Sequence, residues 1–157
     1  MPDFRCLPIA AETATRFRAT GIDDRGGRFL HRQPGADSRC PCRQCLRYAG
    51  EGRAVLLGSY DLPRPRGTYW TPSPIFLHAE ECTPFAAVNE IPEIVRGSLV
   101  SLRSYDADDL CLYELGHVSE GTEIDAALAH ALADERTAFI NIHTAKPGCL
   151  LCRVERI

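Results

Sequence analysis

Eight cysteines in 157 residues are the feature that most constrains this chain. Stable disulfides are uncommon in reducing compartments and form mainly in exported proteins. The N-terminal segment contains Pro2, Asp3 and Pro8 and lacks the uninterrupted apolar core of a secretory signal. We therefore expect a cytoplasmic protein with reduced cysteines. Each cysteine is then a buried apolar residue, a metal ligand or a reactive group.

The composition excludes several classes of protein. Hydrophobic residues make up 45% and charged residues 25% of the chain, which is average for a globular protein and excludes disorder. The 18 basic and 21 acidic side chains give a net charge of −3, which argues against a dedicated nucleic-acid binder. No window approaches about 18 uninterrupted apolar residues, so no membrane span is expected. The length predicts a single domain, residues 1–157.

Short runs of β-branched and aromatic residues, bounded by turn residues, predict strands. Six such runs occur, at 53–60, 73–78, 98–105, 110–118, 137–144 and 150–157. Short turn sequences at 106–109 and 146–148 connect two pairs of these runs. Because connections this short suit hairpins better than crossovers, we expect a largely antiparallel sheet of about six strands.

Two segments predict the main helices. Between residues 122 and 134 the apolar residues recur at helical spacing, and Thr122 and Asp125 have the spacing of a capping box. A weaker pattern runs over residues 10–20, with Gly21 as its stop signal. Together with the strands, these helices predict an α+β fold.

The cysteines concentrate in two clusters. The segment Cys40–Cys45 contains a C-x-C that overlaps a C-x-x-C, and Cys149 and Cys152 form a second C-x-x-C. Two thiolate pairs can complete a tetrahedral zinc site. The predicted ligands are Cys42, Cys45, Cys149 and Cys152. Zinc ribbons place their pairs about 15–20 residues apart, whereas these pairs are much further apart, so buried thiols without a metal remain the alternative.

A second interpretation places an enzymatic or sensor site at the last hairpin. His143 and Cys149 flank its turn, where the imidazole could act as a base and the thiol as a nucleophile. Strand alternation places Asn141 and His143 on one face and Ile140 and Ile142 on the other. The same alternation is typical of any half-exposed strand.

Arginine side chains suggest a small anionic ligand for this site. Arg43 lies inside the first cysteine cluster, and Arg103 shares a strand face with Tyr105. A guanidinium group matches a carboxylate or phosphate with two parallel hydrogen bonds. His78, at the end of a predicted strand, is a further candidate ligand-binding residue, although all these side chains also suit an ordinary surface. A minor alternative is nucleic-acid contact through the Arg64–Trp70 loop.

Several motifs together resemble a small bacterial family known as domain of unknown function 1203. They are Pro41–Leu46, Tyr69–Trp70 with Pro74–His78, Leu102–Asp106, and His143–Cys149 through Val154. The resemblance implies one domain from a bacterial cytosolic protein and brings no established activity. It centres on Cys42, Arg43, His143 and Cys149, which favours a pocket shared by arginine, histidine and cysteine.

The metal-site and enzyme hypotheses share one spatial prediction. Both require residues 40–45 to lie beside residues 143–152, although about a hundred positions separate the two segments. The three remaining cysteines, Cys6, Cys82 and Cys111, have no partner by spacing and are predicted to serve in packing.

Overall fold

Two antiparallel sheets organise the chain, which the computed structural model describes over residues 1–157. The strands are β1 (Phe4–Leu7), β2 (Leu30–Arg32), β3 (Val55–Asp61), β4 (Pro72–His78), β5 (Leu99–Tyr105), β6 (His117–Glu120), β7 (Phe139–Thr144) and β8 (Leu150–Arg156). The helices are α1 (Ala11–Thr20), α2 (Glu93–Arg96) and α3 (Asp125–Ala133). None of them has the length and apolar content needed to cross a bilayer.

The larger sheet has the order β1-β8-β7-β5-β6, and the smaller sheet has the order β2-β3-β4. Every pairing within them is antiparallel, which confirms the predicted α+β class. The sequence did not indicate β1 or β2. β1 spans four residues between Asp3 and Pro8, and all three side chains of β2 are exposed, so neither shows a period-2 pattern of useful length.

The helix predictions are confirmed in position and corrected in detail. Gly21 adopts a left-handed conformation with φ of 65° and its N–H donates to Phe17, as expected of a C-terminal stop. α3 begins at Asp125, and no side chain caps it, so the predicted capping box of Thr122 and Asp125 is absent. Residues 121–123 instead form a 3₁₀ turn. The predicted strand 110–118 is wrong over most of its length, since Tyr113–Leu115 form a 3₁₀ turn and only residues 117 and 118 belong to a strand, β6.

Two hydrophobic cores flank the larger sheet. One lies under α2 and α3 and contains Val100, Leu102, Ile140 and Ile142 from the central strands. The other contains Phe17 of α1, apolar residues of β3 and β4, and Leu150 of β8. Cys42 and Cys45 belong to this second core. The first cysteine cluster is therefore held between α1 and the smaller sheet.

Gly121 follows β6 at a point where the backbone of α2 passes very close. A methyl group at this position would lie 1.8 Å from the carbonyl oxygen of Val95. The Gly121 N–H donates to the carbonyl of Ser98 at 2.8 Å, so the backbone cannot withdraw without losing a buried hydrogen bond. We expect Gly121→Ala to lower the free energy of unfolding by about 3 kcal/mol or more, measured by urea denaturation.

Gly50→Ala is the matched control because Gly50 is exposed and a methyl group there meets no atom within 4 Å. Its expected effect is within about 0.5 kcal/mol. Equal stability of the two variants would show that the close approach of Gly121 to α2 is not present in solution.

Candidate metal centre

Four side chains that can bind a metal converge at one end of the smaller sheet. They are Cys42, Cys45, His78 and Cys82, and one ligand atom from each lies within 4.8 Å of all the others. Cys42, Cys45 and His78 are buried, and Cys82 is half-buried. We call this group the Cys₃His cluster. It contains one of the two predicted pairs of metal ligands together with His78, predicted only to bind a small ligand, and Cys82, predicted only to serve in packing.

The first pair lies in a tight reversal over residues 40–49, here called the cysteine turn. Pro41 and Tyr48 form an antiparallel bridge across it, and the N–H of Cys42 donates to the carbonyl of Arg47. Leu46 directly follows Cys45 and has a φ of 54°, a conformation that bulky residues rarely adopt. Its side chain is fully buried in the larger core, which holds this conformation in place.

Strand β4 supplies the third member of the cluster. Cys42 forms a parallel bridge with Phe76, and the N–H of Arg43 donates to the carbonyl of Phe76 at 2.9 Å. His78 is two residues further along β4 and therefore on the same face of the strand. Its backbone N–H donates to the Cys42 sulfur at 3.4 Å.

The segment after β4 supplies Cys82. This segment docks on the cysteine turn through the N–H of Phe85, which donates to the carbonyl of Gln44 at 2.9 Å. The Cys82 sulfur is 3.8 Å from the Cys42 sulfur. Although Cys82 is 40 residues from Cys42 in sequence, backbone contacts fix it beside the first pair.

Two of the six distances between ligand atoms match those of a tetrahedral zinc site, and all six are within 4.8 Å. With Zn–S of about 2.3 Å and Zn–N of about 2.0–2.1 Å, two sulfurs lie about 3.8 Å apart and a sulfur and a nitrogen about 3.6 Å apart. The Cys42 and Cys82 sulfurs are 3.8 Å apart, and the Cys45 sulfur is 3.6 Å from Nδ1 of His78. The other ring nitrogen of His78, Nε2, is buried without a partner.

The surroundings of the cluster favour a thiolate at Cys42, whereas burial and the neighbouring Cys42 raise the pKa of Cys82. The Cys45 thiol and the backbone N–H groups of Cys45, His78 and Gln44 donate to the Cys42 sulfur and, against the effect of burial, lower the pKa of Cys42 to about 4. Donating its proton to Cys42 raises the pKa of Cys45. Arg18, from the end of α1, places a cation 3.7 Å from the Cys82 sulfur and also donates to the carbonyl of His78. Three thiolates exceed the charge of Zn²⁺ by one unit, and Arg18 offsets that excess.

Arg43 connects the cysteine turn to the last hairpin. Its guanidinium group is buried and donates to the carbonyls of Leu150 and Pro41. Burial lowers the pKa of Arg43 to about 10, while the neighbouring Cys149, Cys42 and Cys152 oppose that shift. The shared spatial prediction is thus met, since residues 40–45 and 143–152 lie side by side.

His143 lies in this contact region, on the face of β7 opposite to Ile140 and Ile142. It is 2% exposed and its Nδ1 is 2.9 Å from the carbonyl of Gly148, whereas its Nε2 is buried without a partner. Burial and the charges of Arg103 and Arg43 lower the pKa of His143 to about 4. The ring is therefore neutral at physiological pH. The strand is buried on both faces, and not half-exposed as the alternation would allow.

The remaining predicted site residues lie outside the Cys₃His cluster. Cys149 is half-buried and its N–H donates to the Thr144 hydroxyl at 3.0 Å, while Cys152 is buried in the larger core, where contact with Cys6 raises its pKa. Arg103 is half-buried on β5, and Tyr105 stacks on Phe139 at a centroid distance of 5.0 Å. The catalytic roles of Cys149 and His143 stay predictions.

The loop suggested for nucleic acid uses its side chains internally. Arg64 pairs with Asp109 and lies over the ring of Phe139, and Trp70 donates to the carbonyl of Leu62. Tyr69 contacts the hydroxyl of Tyr113. Arg64, Tyr69 and Trp70, which were the residues suggested for nucleic-acid contact, thus all have partners within the protein.

The sequence reasoning missed Cys82, which was predicted to serve only in packing, and did not count His78 among the metal ligands. A signal was present in the H-x-x-x-C spacing of these two residues. A histidine and a second ligand about three to five residues apart are typical of zinc fingers, paired with a C-x-x-C elsewhere in the chain. The spacing between the two halves, 33 residues from Cys45 to His78, is set by β3 and β4.

The fold and the cluster together define an α+β protein with a buried Cys₃His group. The chain belongs to the family described as Protein of unknown function (DUF1203), whose model matches residues 39–156. All four residues of the cluster, the buried arginine and the last hairpin fall within the matched range. Comparisons with curated proteins and with solved structures give no significant match.

Proposed function

We propose that this protein binds one zinc ion through Cys42, Cys45, His78 and Cys82, and that the ion is structural. The observation that carries the proposal is the pair of distances, 3.8 Å between two sulfurs and 3.6 Å between a sulfur and a nitrogen. These are the separations that a single tetrahedral ion imposes on its ligands.

The choice of zinc follows from the type and number of the ligands. Three thiolates and an imidazole form a soft set that suits Zn²⁺, whereas Mg²⁺ and Ca²⁺ prefer oxygen ligands. Four protein ligands complete a tetrahedron and leave no position for water or a substrate, which is the mark of a structural site. Burial of three of the four residues supports the same role.

The expected consequence for the molecule is a cross-link between distant segments. The ion would join the cysteine turn to the end of β4 and to the segment that follows. The cysteine turn also carries Arg43, which donates to the carbonyl of Leu150 in β8. A fixed cysteine turn therefore holds the smaller sheet against the larger one, and this is the structural role that we propose for the ion.

Metal analysis of the purified protein tests the proposal. We expect one equivalent of zinc in the wild-type chain and less than about a tenth of an equivalent in Cys82→Ser, because a serine hydroxyl is a poor replacement for a thiolate ligand. Reconstitution with Co²⁺ should give the intense visible absorption of a tetrahedral cobalt–thiolate site. Cys82→Ser should lack it.

Cys149→Ser is the matched control, since Cys149 is also half-buried but lies outside the cluster. It should retain the full equivalent of zinc. Loss of zinc in Cys149→Ser with retention in Cys82→Ser would contradict the proposal and support the ligand set predicted from the C-x-x-C pairs. Absence of zinc from wild-type protein that was purified and refolded with the metal would refute both.

A further inference from the structure

A cavity of about 560 Å³ lies between the start of α1 and the larger sheet, and none of the Cys₃His residues lines it. We call it the α1 cavity. Its wall comes from α1 and the segment before it, the end of β3, and strands β7 and β8. The volume is typical of sites for small organic ligands. Because the α1 cavity uses no residue of the cluster, its role is independent of the proposed zinc ion.

Asn141 of β7 brings a buried acceptor without a donor to this cavity. The residue is 1% exposed and lines the cavity wall. Its Nδ2 donates to the carbonyl of Arg64 at 3.0 Å, and since a carbonyl can only accept, this bond identifies which end of the amide is the nitrogen. Oδ1 is therefore the free end. Most buried polar groups in proteins are hydrogen-bonded, so Oδ1 indicates a donor that occupies the cavity.

Tyr60, near the end of β3, brings a second polar group without a partner to the same cavity. It is 7% exposed, and its ring packs edge-on against Phe17 at a centroid distance of 6.5 Å. Its hydroxyl makes no hydrogen bond within the protein. Burial raises the pKa of Tyr60, so the hydroxyl keeps its proton at neutral pH and can donate it to a bound acceptor.

The charges around the cavity do not favour an anion. Its three arginines are each paired with a carboxylate, in the pairs Arg16–Asp24, Arg64–Asp109 and Arg153–Glu155. A further carboxylate, that of Asp61, also lines the cavity. Its Oδ1 is buried without a partner, and its Oδ2 is 3.7 Å from the exposed Arg25. The charge left beside the cavity is therefore negative and would repel a carboxylate or a phosphate.

The first turn of α1 adds backbone donors to the wall. Ala10 occupies the N-cap position, and no side chain accepts a hydrogen bond from this turn. Ala10 and Thr13 both line the cavity. The N–H groups of the turn and the hydroxyl of Tyr60 require an acceptor, whereas Oδ1 of Asn141 requires a donor. A ligand that satisfies both sides must carry a donor and an acceptor.

A primary carboxamide is the simplest neutral group with this combination, since its oxygen accepts and its NH₂ donates. A carboxylate has no donor for Asn141 and meets the charge of Asp61. An ammonium group has no acceptor for the start of α1, and the partial positive charge of the helix end repels it. The rest of the ligand can pack against the apolar side chains of the wall, which are Leu7, Ile9, Leu150 and Leu151.

We propose that the α1 cavity binds a small neutral molecule with a primary carboxamide, whose NH₂ group donates to Oδ1 of Asn141 and whose oxygen accepts from Tyr60. The N–H groups at the start of α1 offer the same oxygen a second donor. The apolar body of the ligand packs against the leucines of the wall. No catalytic step is involved, and the site is additional to the metal centre.

The test is an NMR titration of zinc-loaded protein with amides and their charged analogues. The probes are benzamide and 4-methylpentanamide, compared with benzoate and 4-methylpentanoate as anions and with benzylamine and 4-methylpentylamine as cations. We expect at least one amide to shift the backbone signals of residues 11–13 and 150–153 and the side-chain NH₂ signals of Asn141 saturably. The matching anion and cation should bind at least tenfold more weakly.

The contact with Asn141 is tested on the ligand, because replacing Asn141 would also remove its bond to Arg64. Acetophenone has a methyl group where benzamide has its NH₂ group, so it keeps the shape and the carbonyl oxygen but has no donor. A site that is built to bond a donor discriminates strongly against an analogue without it. We expect acetophenone to bind at least tenfold more weakly than benzamide.

The contact with Tyr60 is tested by Tyr60→Phe. The hydroxyl has no partner within the protein, so we expect an unchanged or higher unfolding temperature together with about tenfold weaker binding of the amide. This combination distinguishes loss of a ligand contact from loss of folding. Tyr113→Phe removes a hydroxyl at an exposed position outside the cavity and should leave binding unchanged.

Four results would overturn the proposal. The first is the absence of saturable shifts with both amides, which would mean that the cavity holds only water. The second is binding of an anion or a cation as tightly as its amide. The third is equal binding of acetophenone and benzamide, and the fourth is unchanged binding in Tyr60→Phe. Each of these leaves the zinc content unchanged, so failure here is distinguishable from failure of the metal site.

Discussion

Removal of zinc is expected to lower the midpoint of thermal unfolding by about 8–16 °C. A ligand that binds only the folded state at about 1,000 times its dissociation constant contributes about 4 kcal/mol. In a domain of this size, each kcal/mol corresponds to about 2–4 °C. Calorimetry of the zinc-loaded protein and of protein stripped with a chelator measures the difference directly.

The decrease in the unfolding midpoint should be reversible and should depend on the Cys₃His cluster. Adding Zn²⁺ back to stripped protein should restore the original midpoint, whereas Mg²⁺ should not, because the cluster offers sulfur and nitrogen ligands. Cys45→Ser should lower the midpoint by a similar amount and should not respond to added zinc. Cys111→Ser, at a half-buried cysteine outside the cluster, should respond to zinc as the wild type does. An unchanged midpoint on stripping would show that the ion contributes nothing to stability.

The elements with strong local signals could be predicted from the sequence. The stop at Gly21 needs only a glycine that can adopt a left-handed conformation, and the structure places one there. The strands β3, β4, β5, β7 and β8 coincide with predicted runs within about two residues at each end. The start of α3 could not be predicted in the same way. Its capping-box spacing is present, but Thr122 belongs to a 3₁₀ turn and makes no cap.

Only two of the four residues of the metal centre could be predicted from the sequence, because the positions of the other two depend on tertiary structure. The C-x-x-C of Cys42 and Cys45 is a local motif, since both residues lie in one turn. Its partners depend on tertiary structure, because β4 pairs with β3 and also bridges to Cys42. That bridge brings in His78, and the docking of the next segment brings in Cys82. Because the sequence contains a second C-x-x-C, Cys149 and Cys152 were predicted as the other two ligands instead.

The contact between the two distant segments was predicted, but its chemistry was not. The structure joins them through Arg43, which donates to the carbonyl of Leu150, while Cys149 and Cys152 lie outside the group of side chains that could hold a metal ion. Strand alternation placed His143 on the face opposite to Ile142, as observed, yet it could not show that both faces are covered. Burial of His143 depends on the packing of the cysteine turn against β8. This burial has a measurable effect on stability.

His143 should make the stability of the protein depend on pH between about 6.5 and about 4. In the folded protein, burial and the charges of Arg103 and Arg43 lower the pKa of His143 to about 4, from an ordinary value of 6.5. Between these values the unfolded chain binds a proton that the folded protein does not, so the free energy of unfolding falls as the pH falls. At about 1.4 kcal/mol per pKa unit, the full loss is about 3 kcal/mol and is complete below pH 4.

The variant His143→Asn isolates this contribution. Asparagine can still donate to the carbonyl of Gly148 but does not titrate, so the variant is expected to be less stable at neutral pH and to lose less stability on acidification. Urea denaturation at several pH values from 7 to 4 gives the two slopes. Zinc release and carboxylate protonation affect both proteins equally, so the difference between the two slopes reports the titration of His143 alone. His130→Asn, at an exposed position on α3, should keep the wild-type slope. Equal slopes in the wild type and His143→Asn would mean that His143 is protonated in the folded protein as readily as in the unfolded chain, and that solvent reaches it.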